Sequence, residues 1–252
     1  MKRHLLRPLL TCAGLILVWW AITACTNIPP YMLPSPPRVA MALVAQWPTL
    51  ASATLTTLAE ILLGLGFGTV LGAALALGMV FSPLLQRWLL PVLLLSQAIP
   101  VFALAPLLVL WFGFGMASKV VMAVLVIFFP VTASFFDGLR RVDRGLLDLA
   151  RTMGASPWAM LRHVRLHAAL PAFASGLRVA TAIAPIGAII GEWVGSSAGL
   201  GYVMMNANAR IQTDVMFAAL VILAVMTVLL WVVVDRLMKR LLHWLPETAE
   251  RA

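Results

Sequence analysis

Charged residues are scarce in this chain of 252 residues. They make up 11% of the sequence, whereas a soluble domain carries about 25%. Only two cysteines occur, Cys12 and Cys25, which excludes a scaffold held together by disulfides. Hydrophobic residues make up 62%, which is too many for a core enclosed by a wetted surface. A soluble globular enzyme and a disordered chain are therefore excluded as well.

Lysine is scarcer still. The chain has only Lys2, Lys119 and Lys239, and none of them follows a glycine. A phosphate-binding P-loop needs a glycine-rich turn that leads directly into a Gly-Lys pair. We therefore expect that this chain does not hydrolyse ATP by that route and is not an enzyme. We also expect no catalytic residue, no metal site and no cofactor bound by this chain.

Long apolar runs are what the sequence does contain. A helix needs about 20 apolar residues to cross a bilayer core of about 30 Å, whereas the strands of an outer-membrane barrel alternate apolar and polar residues. The chain is therefore predicted to be an all-α polytopic membrane protein with six transmembrane helices. The predicted spans are 9–25, 55–81, 88–112, 119–136, 168–190 and 215–234. The third holds three prolines and should be the least regular, because proline kinks helices.

Basic residues orient these spans. If the N-terminus is cytoplasmic, 14 of the 18 lysines and arginines lie on the cytoplasmic side and Arg178 lies within the fifth span. Only Arg38, Lys119 and Arg210 lie outside. This distribution follows the positive-inside rule, so both termini are predicted to be cytoplasmic. The net charge of +9 is thus an orientation signal, and no nucleic-acid partner is expected.

One predicted cytoplasmic loop, about 137–167, holds nine of the 27 charged residues. Near its centre Gly154 offers a helix stop, and Ser156 followed by Pro157 favours a new helix start. The loop is thus predicted to be two short helices joined by a glycine bend. The apolar stripes of these two helices consist of Leu146, Leu147, Leu149, Ala150 and Met153 in the first, and Trp158, Leu161, Val164 and Leu166 in the second. Such a helix pair either lies on anionic lipid or docks a cytoplasmic partner.

The same loop carries a motif of an acid, a small residue and a glycine. Asp148, Ala150 and Gly154 occupy these places. The pattern resembles the EAA loop of the permease subunits of bacterial binding-protein-dependent ABC importers. Two positions depart from that motif, since Leu149 replaces its first alanine and His167 stands where its first proline is usual.

Other segments narrow the resemblance. Similarity to the nitrate, sulfonate and taurine branch of these permeases is found in residues 33–36 and 197–202. Within that branch, permeases for thiamine-precursor pyrimidines are the ones most like residues 97–106 and 191–195. The implied function is ATP-driven import of a small solute, either such a pyrimidine or a sulfonate, taurine or nitrate. An ion-coupled secondary transporter is a weaker alternative, because only Arg178 lies well inside a predicted span.

The resemblance also implies a fold, a division of the chain and a set of partners. The fold would be that of a type I ABC importer permease in the bacterial inner membrane. Residues 1–52 would form an N-terminal transmembrane helix and a periplasmic connector, residues 53–240 the ABC type-1 transmembrane domain, and residues 241–252 a cytoplasmic tail. The implied partners are cytoplasmic ABC ATPase subunits that bind ATP, a periplasmic substrate-binding protein, a second copy of this chain and membrane lipid.

Two sets of site residues follow. The resemblance implies that the coupling loop docks on the ATPase through Asp148, Leu149, Ala150, Met153, Gly154, Trp158, Leu161 and Leu166. Polar groups in apolar spans are costly in lipid, which makes Ser96, Gln97, Pro100 and Glu192 candidates for the pathway or its gate. An interhelical hydrogen bond is the alternative for Ser96 and Gln97. Arg178 is expected to reach the inner interface or to pair with Asp137 or Asp148.

Overall fold

A computed structural model describes residues 2–26 and 28–244, with side chains from Leu10 onward. Every regular element in this part of the chain is a helix, as predicted. The helices are α1 (Lys2–Cys25), α2 (Pro36–Ala45), α3 (Trp47–Phe81), α4 (Pro83–Ala98), α5 (Val101–Phe112), α6 (Met116–Arg140), α7 (Arg144–Thr152), α8 (Pro157–Met160), α9 (Leu166–Gly195), α10 (Leu200–Ala209) and α11 (Thr213–Leu241). The last eight residues of the predicted tail, 245–252, lie outside the described part.

Four stretches of the described chain are long and apolar enough to cross a membrane. They are α3, α6, the continuous run Pro157–Gly195 and α11. Helices α4 and α5 pass the same test together, but they are bent by 101° where they meet. The apolar part of α1, Leu10–Cys25, is shorter. The structure therefore supports four spans, or five if the bent pair crosses as one, and the predicted count of six is not confirmed.

The predicted irregularity of the third span is confirmed. Helix α4 ends at Ala98, Ile99 is extended (φ −81°, ψ 122°), and α5 starts after Pro100. Proline pushes the preceding residue out of the helical region and has no N–H to donate to the preceding turn. Pro91 and Pro106 lie inside their helices, so the break falls at only one of the prolines.

The described residues form two compact units. The first takes the residues up to Thr57 and Ser196–Val225, and the second takes Leu58–Gly195 and the residues from Met226 onward. Within the first unit, the Leu200 N–H donates to the buried Thr57 Oγ1 at 2.8 Å. The second unit contains the predicted coupling loop and the candidate pathway residues.

In the second unit, α6 packs closely against both α3 and α9. Gly64 and Gly72 of α3 face α6, and a β-carbon at Gly72 would lie only 2.8 Å from the carbonyl oxygen of Phe128. On the α9 side, a β-carbon at Gly187 would lie 2.8 Å from the Cα of Ala123. Small residues allow the backbones of membrane helices to approach, and van der Waals contact then holds them together.

A hydrophobic core cluster lies at the end of these helices that adjoins the predicted coupling loop. Its members are Ala76, Met79, Leu93, Phe128, Phe135, Phe136, Leu139, Leu161 and Ala169. Leu161 belongs to the loop region, whereas the other members come from α3, α4, α6 and α9. The second half of the loop is therefore anchored in the core of the second unit.

Candidate functional site

Helix α7 opens the predicted coupling loop. Asp143 caps its start, because the Asp143 Oδ1 accepts a hydrogen bond from the Gly145 N–H at 2.8 Å. This pairs one of the N–H groups that a helix start leaves without a partner. On the surface of the helix Asp148 pairs with Arg151, with 2.7 Å between Oδ1 and Nη1. The carboxylate of the motif is thus held locally on α7.

The bend after α7 is built on Gly154, as predicted. Gly154 has a φ of +77°, a region that L side chains rarely adopt. Its N–H donates to the Arg151 carbonyl at 2.9 Å, and the Ala155 N–H donates to the Ala150 carbonyl at 3.0 Å. These two bonds form a Schellman motif, which closes the carboxyl end of a helix and turns the chain sharply.

The second helix starts as predicted but ends elsewhere. The Ser156 hydroxyl oxygen accepts a backbone hydrogen bond at 3.2 Å, and Pro157 occupies the first turn. Helix α8 then runs through a π-helical turn, Leu161–Arg165, directly into α9. The expectation of a helix separate from the fifth span was wrong. The π turn takes up one extra residue without ending the helix, and no glycine interrupts the chain there.

Three of the predicted anchor side chains are open to solvent. Leu149, Met153 and Trp158 are 57%, 79% and 60% exposed. Leu161, by contrast, is only 4% exposed and packs in the core cluster, so it does not present a free surface. Ala150 and Leu166 are half-buried. Clustered exposed apolar side chains mark an interaction surface, which we call the coupling surface: Leu149, Met153 and Trp158.

A groove of about 360 Å³ lies beside this surface. It is lined by Val80, Phe81, Arg151, Ala155, Pro157, Met160, Leu161 and Arg165. At its edge the rings of Phe81 and Trp158 stack, with centroids 5.9 Å apart and planes 19° from parallel. Helix α3 ends at Phe81, so the stack joins the end of a candidate span to the coupling loop.

Ser96 and Gln97 lie in the last turn before the break between α4 and α5. The Ser96 Oγ donates to the Leu93 carbonyl at 2.7 Å, and the Gln97 Nε2 donates to the Ser96 Oγ at 3.3 Å. Gln97 and Pro100 are exposed. The break leaves backbone groups without helical partners beside a hydroxyl and an amide, and together these form a neutral set of hydrogen-bonding groups.

Three charged side chains that are far apart in the sequence lie close together in the second unit. Glu60, Lys119 and Glu192 are 0%, 5% and 0% exposed. The Lys119 Nζ lies 3.3 Å from the Glu60 Oε1, and Glu60 also interacts with Glu192. We call these residues the buried charge cluster. They belong to α3, α6 and α9, so the candidate gate residue Glu192 lies inside the helix packing.

Arg178 has a different partner from those expected. Its Nε lies 2.7 Å from the Asp235 Oδ1, and Lys239 lies 3.0 Å from the other oxygen of the same carboxylate. The predicted pairing with Asp137 or Asp148 was therefore wrong. Both of those carboxylates are already paired with the nearby Arg141 and Arg151.

Comparison with known proteins decides the family. The sequence pattern of the binding-protein-dependent transport system inner membrane component matches residues 68–245. This match covers the coupling loop, the break at Pro100 and most of the candidate spans. The chain belongs to this family of ABC importer permeases.

Relatives of the permease agree with that assignment. It is 53% identical over 240 residues to a probable ABC transporter permease protein of Haemophilus influenzae, covering 95% of this chain and 98% of the relative. It is 38% identical over 231 residues to the formylaminopyrimidine transport permease protein ThiX of Halalkalibacterium halodurans, covering 91% and 92%. The permease is therefore similar to these proteins over nearly its whole length.

The permease also shares its fold with a solved transporter chain. An inward-facing structure of the MetNI methionine ABC transporter superposes with a TM-score of 0.68 at 22% sequence identity, covering 78% of this chain and 97% of that chain. At this level of identity the likeness concerns the fold alone. It confirms that the permease has the fold of an ABC importer transmembrane subunit.

Two features of the permease were not predicted from the sequence. The stacking of Phe81 on Trp158 had no local signal, because it depends on where α3 ends relative to the loop. The buried charge cluster had a partial signal, since Glu60, Lys119 and Glu192 each interrupt or border an apolar run. Charges in such runs should pair, and that rule could have suggested the partners.

Proposed function

We propose that the coupling loop docks this permease on cytoplasmic ATPase subunits and transmits their closure to the membrane helices. The observation that carries the proposal is the coupling surface, three exposed apolar side chains on a capped and bent helix pair between α6 and α9. Arg151 and Arg165 line the adjoining groove. The docking element beneath that surface is shaped and anchored by Asp148, Ala150, Gly154, Leu161 and Leu166. Closure of the ATPases moves the loops, and packed helices respond as rigid bodies.

The working transporter, in this proposal, contains two copies of the permease, two ATPase subunits and a periplasmic binding protein. The positive-inside distribution supports six spans with both termini in the cytoplasm of a bacterial inner membrane. In this arrangement α1 forms the added first span with its connector, residues 1–52, ahead of the core transmembrane domain, residues 53–240. ATP is bound by the partner and not by this chain, which has no P-loop sequence.

The pathway, we propose further, passes the break between α4 and α5. Discontinuous helices supply free backbone groups at the substrate sites of transporters. Ser96, Gln97 and the backbone around Pro100 would contact the solute, and Glu192 would act on the gate through the helices that bury it. These groups are uncharged at the break itself, which suits a neutral solute.

The substrate class that fits best is a neutral pyrimidine of the thiamine-precursor kind. A relative that is 38% identical over 91% of this chain is named a formylaminopyrimidine permease. Sulfonate, taurine or nitrate would favour a cation along the pathway, but Lys119 and Arg178 are each held by a carboxylate. The hydroxyl and amide at the break instead match the donors and acceptors of an aminopyrimidine ring.

Reconstitution tests the proposed function directly. The permease, its ATPase and its binding protein are placed in liposomes, and uptake of a radiolabelled aminopyrimidine is measured with ATP and with ATP plus vanadate. We expect uptake that requires ATP, is blocked by vanadate and is unaffected by collapsing a proton gradient. Uptake driven by the proton gradient without ATP would contradict the proposal. Uptake of taurine in place of the pyrimidine would retain the importer and reject the substrate class.

The bend at Gly154 provides a further prediction. Gly154→Val should weaken retention of the ATPase by about tenfold, because a left-handed backbone costs an L residue about 1–2 kcal/mol. Apart from the two neighbouring residues, no atom lies within 4 Å of where a β-carbon would stand, so crowding by other parts of the chain does not contribute. Gly154→Asn is the matched control, since asparagine tolerates this conformation. Equal ATPase retention by the Val and Asn variants, measured by co-purification, would show that the bend is not needed.

A further inference from the structure

The buried charge cluster is costly where it lies. Glu60, Lys119 and Glu192 are each at least nineteen-twentieths buried in helices that are candidate membrane spans or border one. Removing charges from water costs more than a single ion pair returns, so such a pair is weak evidence for stability. Charged side chains inside membrane spans more often serve function.

The three helices of the cluster are also the three that reach the coupling loop. Helix α6 ends at Arg140 and leads into α7, α9 continues out of the loop, and α3 ends at Phe81, which stacks on Trp158. Lys119 and Arg140 are separated along α6 by about 32 Å at 1.5 Å per residue. The loop therefore lies at one end of a three-helix bundle and the cluster at the other.

Between these two ends the three helices are in close contact. Ala123 of α6 is contacted from both sides, because β-carbons at Gly64 of α3 and Gly187 of α9 would each collide with it. Near the cluster, a β-carbon at Gly191 would lie 3.1 Å from the Cα of Lys119. Such interiors shift as units and do not deform continuously. A movement of the loop can thus reach the cluster as a displacement of the whole bundle.

We propose that Lys119 is a positioning residue for transport: its ion pair with Glu60, which in turn interacts with Glu192, ties α3 and α9 to α6 at the end of the bundle opposite the loop. The inference rests on the proposed function and adds the means by which loop movement reaches the opposite end of the bundle. Glycine contacts alone leave the helices free to slide lengthwise, because small apolar surfaces fit in more than one register. The Lys119 ammonium group paired with the Glu60 carboxylate, which also interacts with Glu192, fixes that register, since a slipped alignment leaves buried charges without partners.

The inference is tested on the whole complex in liposomes by measuring ATP hydrolysis and solute uptake in the same sample. Lys119→Met should retain the ATPase subunits and hydrolyse ATP, while uptake per ATP falls by about tenfold. The exchange Glu60→Lys with Lys119→Glu keeps one cation between two carboxylates, and it should recover most of the uptake per ATP. The charge-free variant carries Glu60→Gln, Lys119→Met and Glu192→Gln. It should remain folded, and its uptake per ATP should be as low as that of Lys119→Met. Thermal unfolding of each variant separates loss of coupling from loss of fold.

Each outcome decides the inference. Uptake per ATP near that of the unmodified permease in Lys119→Met or in the charge-free variant would overturn it, because packing would then suffice. If Lys119→Met does not fold, the other two variants decide: recovery in the exchange with loss in the charge-free variant supports the tie, and equal behaviour of both overturns it. Failure of the unmodified complex to couple ATP to uptake would instead reject the proposed function.

Discussion

Replacing Leu149 and Met153 together with glutamate is expected to abolish co-purification of the ATPase subunits while the permease still folds. Leu149 lies on α7 and Met153 directly follows its last residue. They are 57% and 79% exposed, so they support little of the permease's own core. Burial of one such side chain contributes about 1.5–3 kcal/mol. Loss of two, with two carboxylates brought into an apolar contact, should weaken docking by more than about a hundredfold.

Arg144→Glu is the control for this prediction. Arg144 is exposed on the opposite face of α7, where a glutamate also adds negative charge. A carboxylate in the first turn of a helix is favourable, so α7 itself should stay intact. We expect this variant to retain the ATPase nearly as well as the unmodified permease. If it loses the ATPase while the double variant keeps it, docking depends on the arginines and the coupling surface is misassigned.

The local features of the coupling loop could be predicted because they depend on neighbouring residues. A glycine in a left-handed conformation and a serine followed by proline act within one turn of chain. The structure has both features at the expected places, with Gly154 at φ +77° and a cap at Ser156. The chain after Leu161 could not be predicted, because continuation through a π turn leaves no distinct residue pattern.

Contacts between distant helices were the part that local reasoning could not supply. Arg178 pairs with Asp235, 57 residues further along the chain, although the loop has carboxylates that are nearer in the sequence. Lys119 borders a predicted span and was placed outside the membrane, yet it is buried against α3 and α9. Helix register decides which charges meet, and it depends on contacts between helices whose partners are not visible in the sequence.

The packing of α3 on α6 leads to the second large prediction, that Gly72→Val strongly destabilises the second unit. A β-carbon at Gly72 would lie 2.8 Å from the Phe128 carbonyl oxygen and 3.0 Å from the Val131 Cβ. Backbone atoms cannot move aside as a flexible side chain can. Overpacking of this kind costs about 1–3 kcal/mol or more, which is a large share of the stability of a typical domain.

Gly66→Val makes the same chemical change on the same helix and serves as the matched control. Gly66 is exposed in the described chain, and apart from its own helix backbone and its chain neighbours no atom lies within 4 Å of where its β-carbon would stand. Valine is a better helix former than glycine, so this variant should unfold in detergent at or above the temperature of the unmodified permease. We expect Gly72→Val to unfold at a clearly lower temperature or to be degraded. Equal unfolding temperatures for the two variants would mean that α3 and α6 do not approach as closely as their glycines indicate. In that case the register that brings Glu60 to Lys119 would have no support from packing, and the buried ion pair alone would have to hold the two helices together.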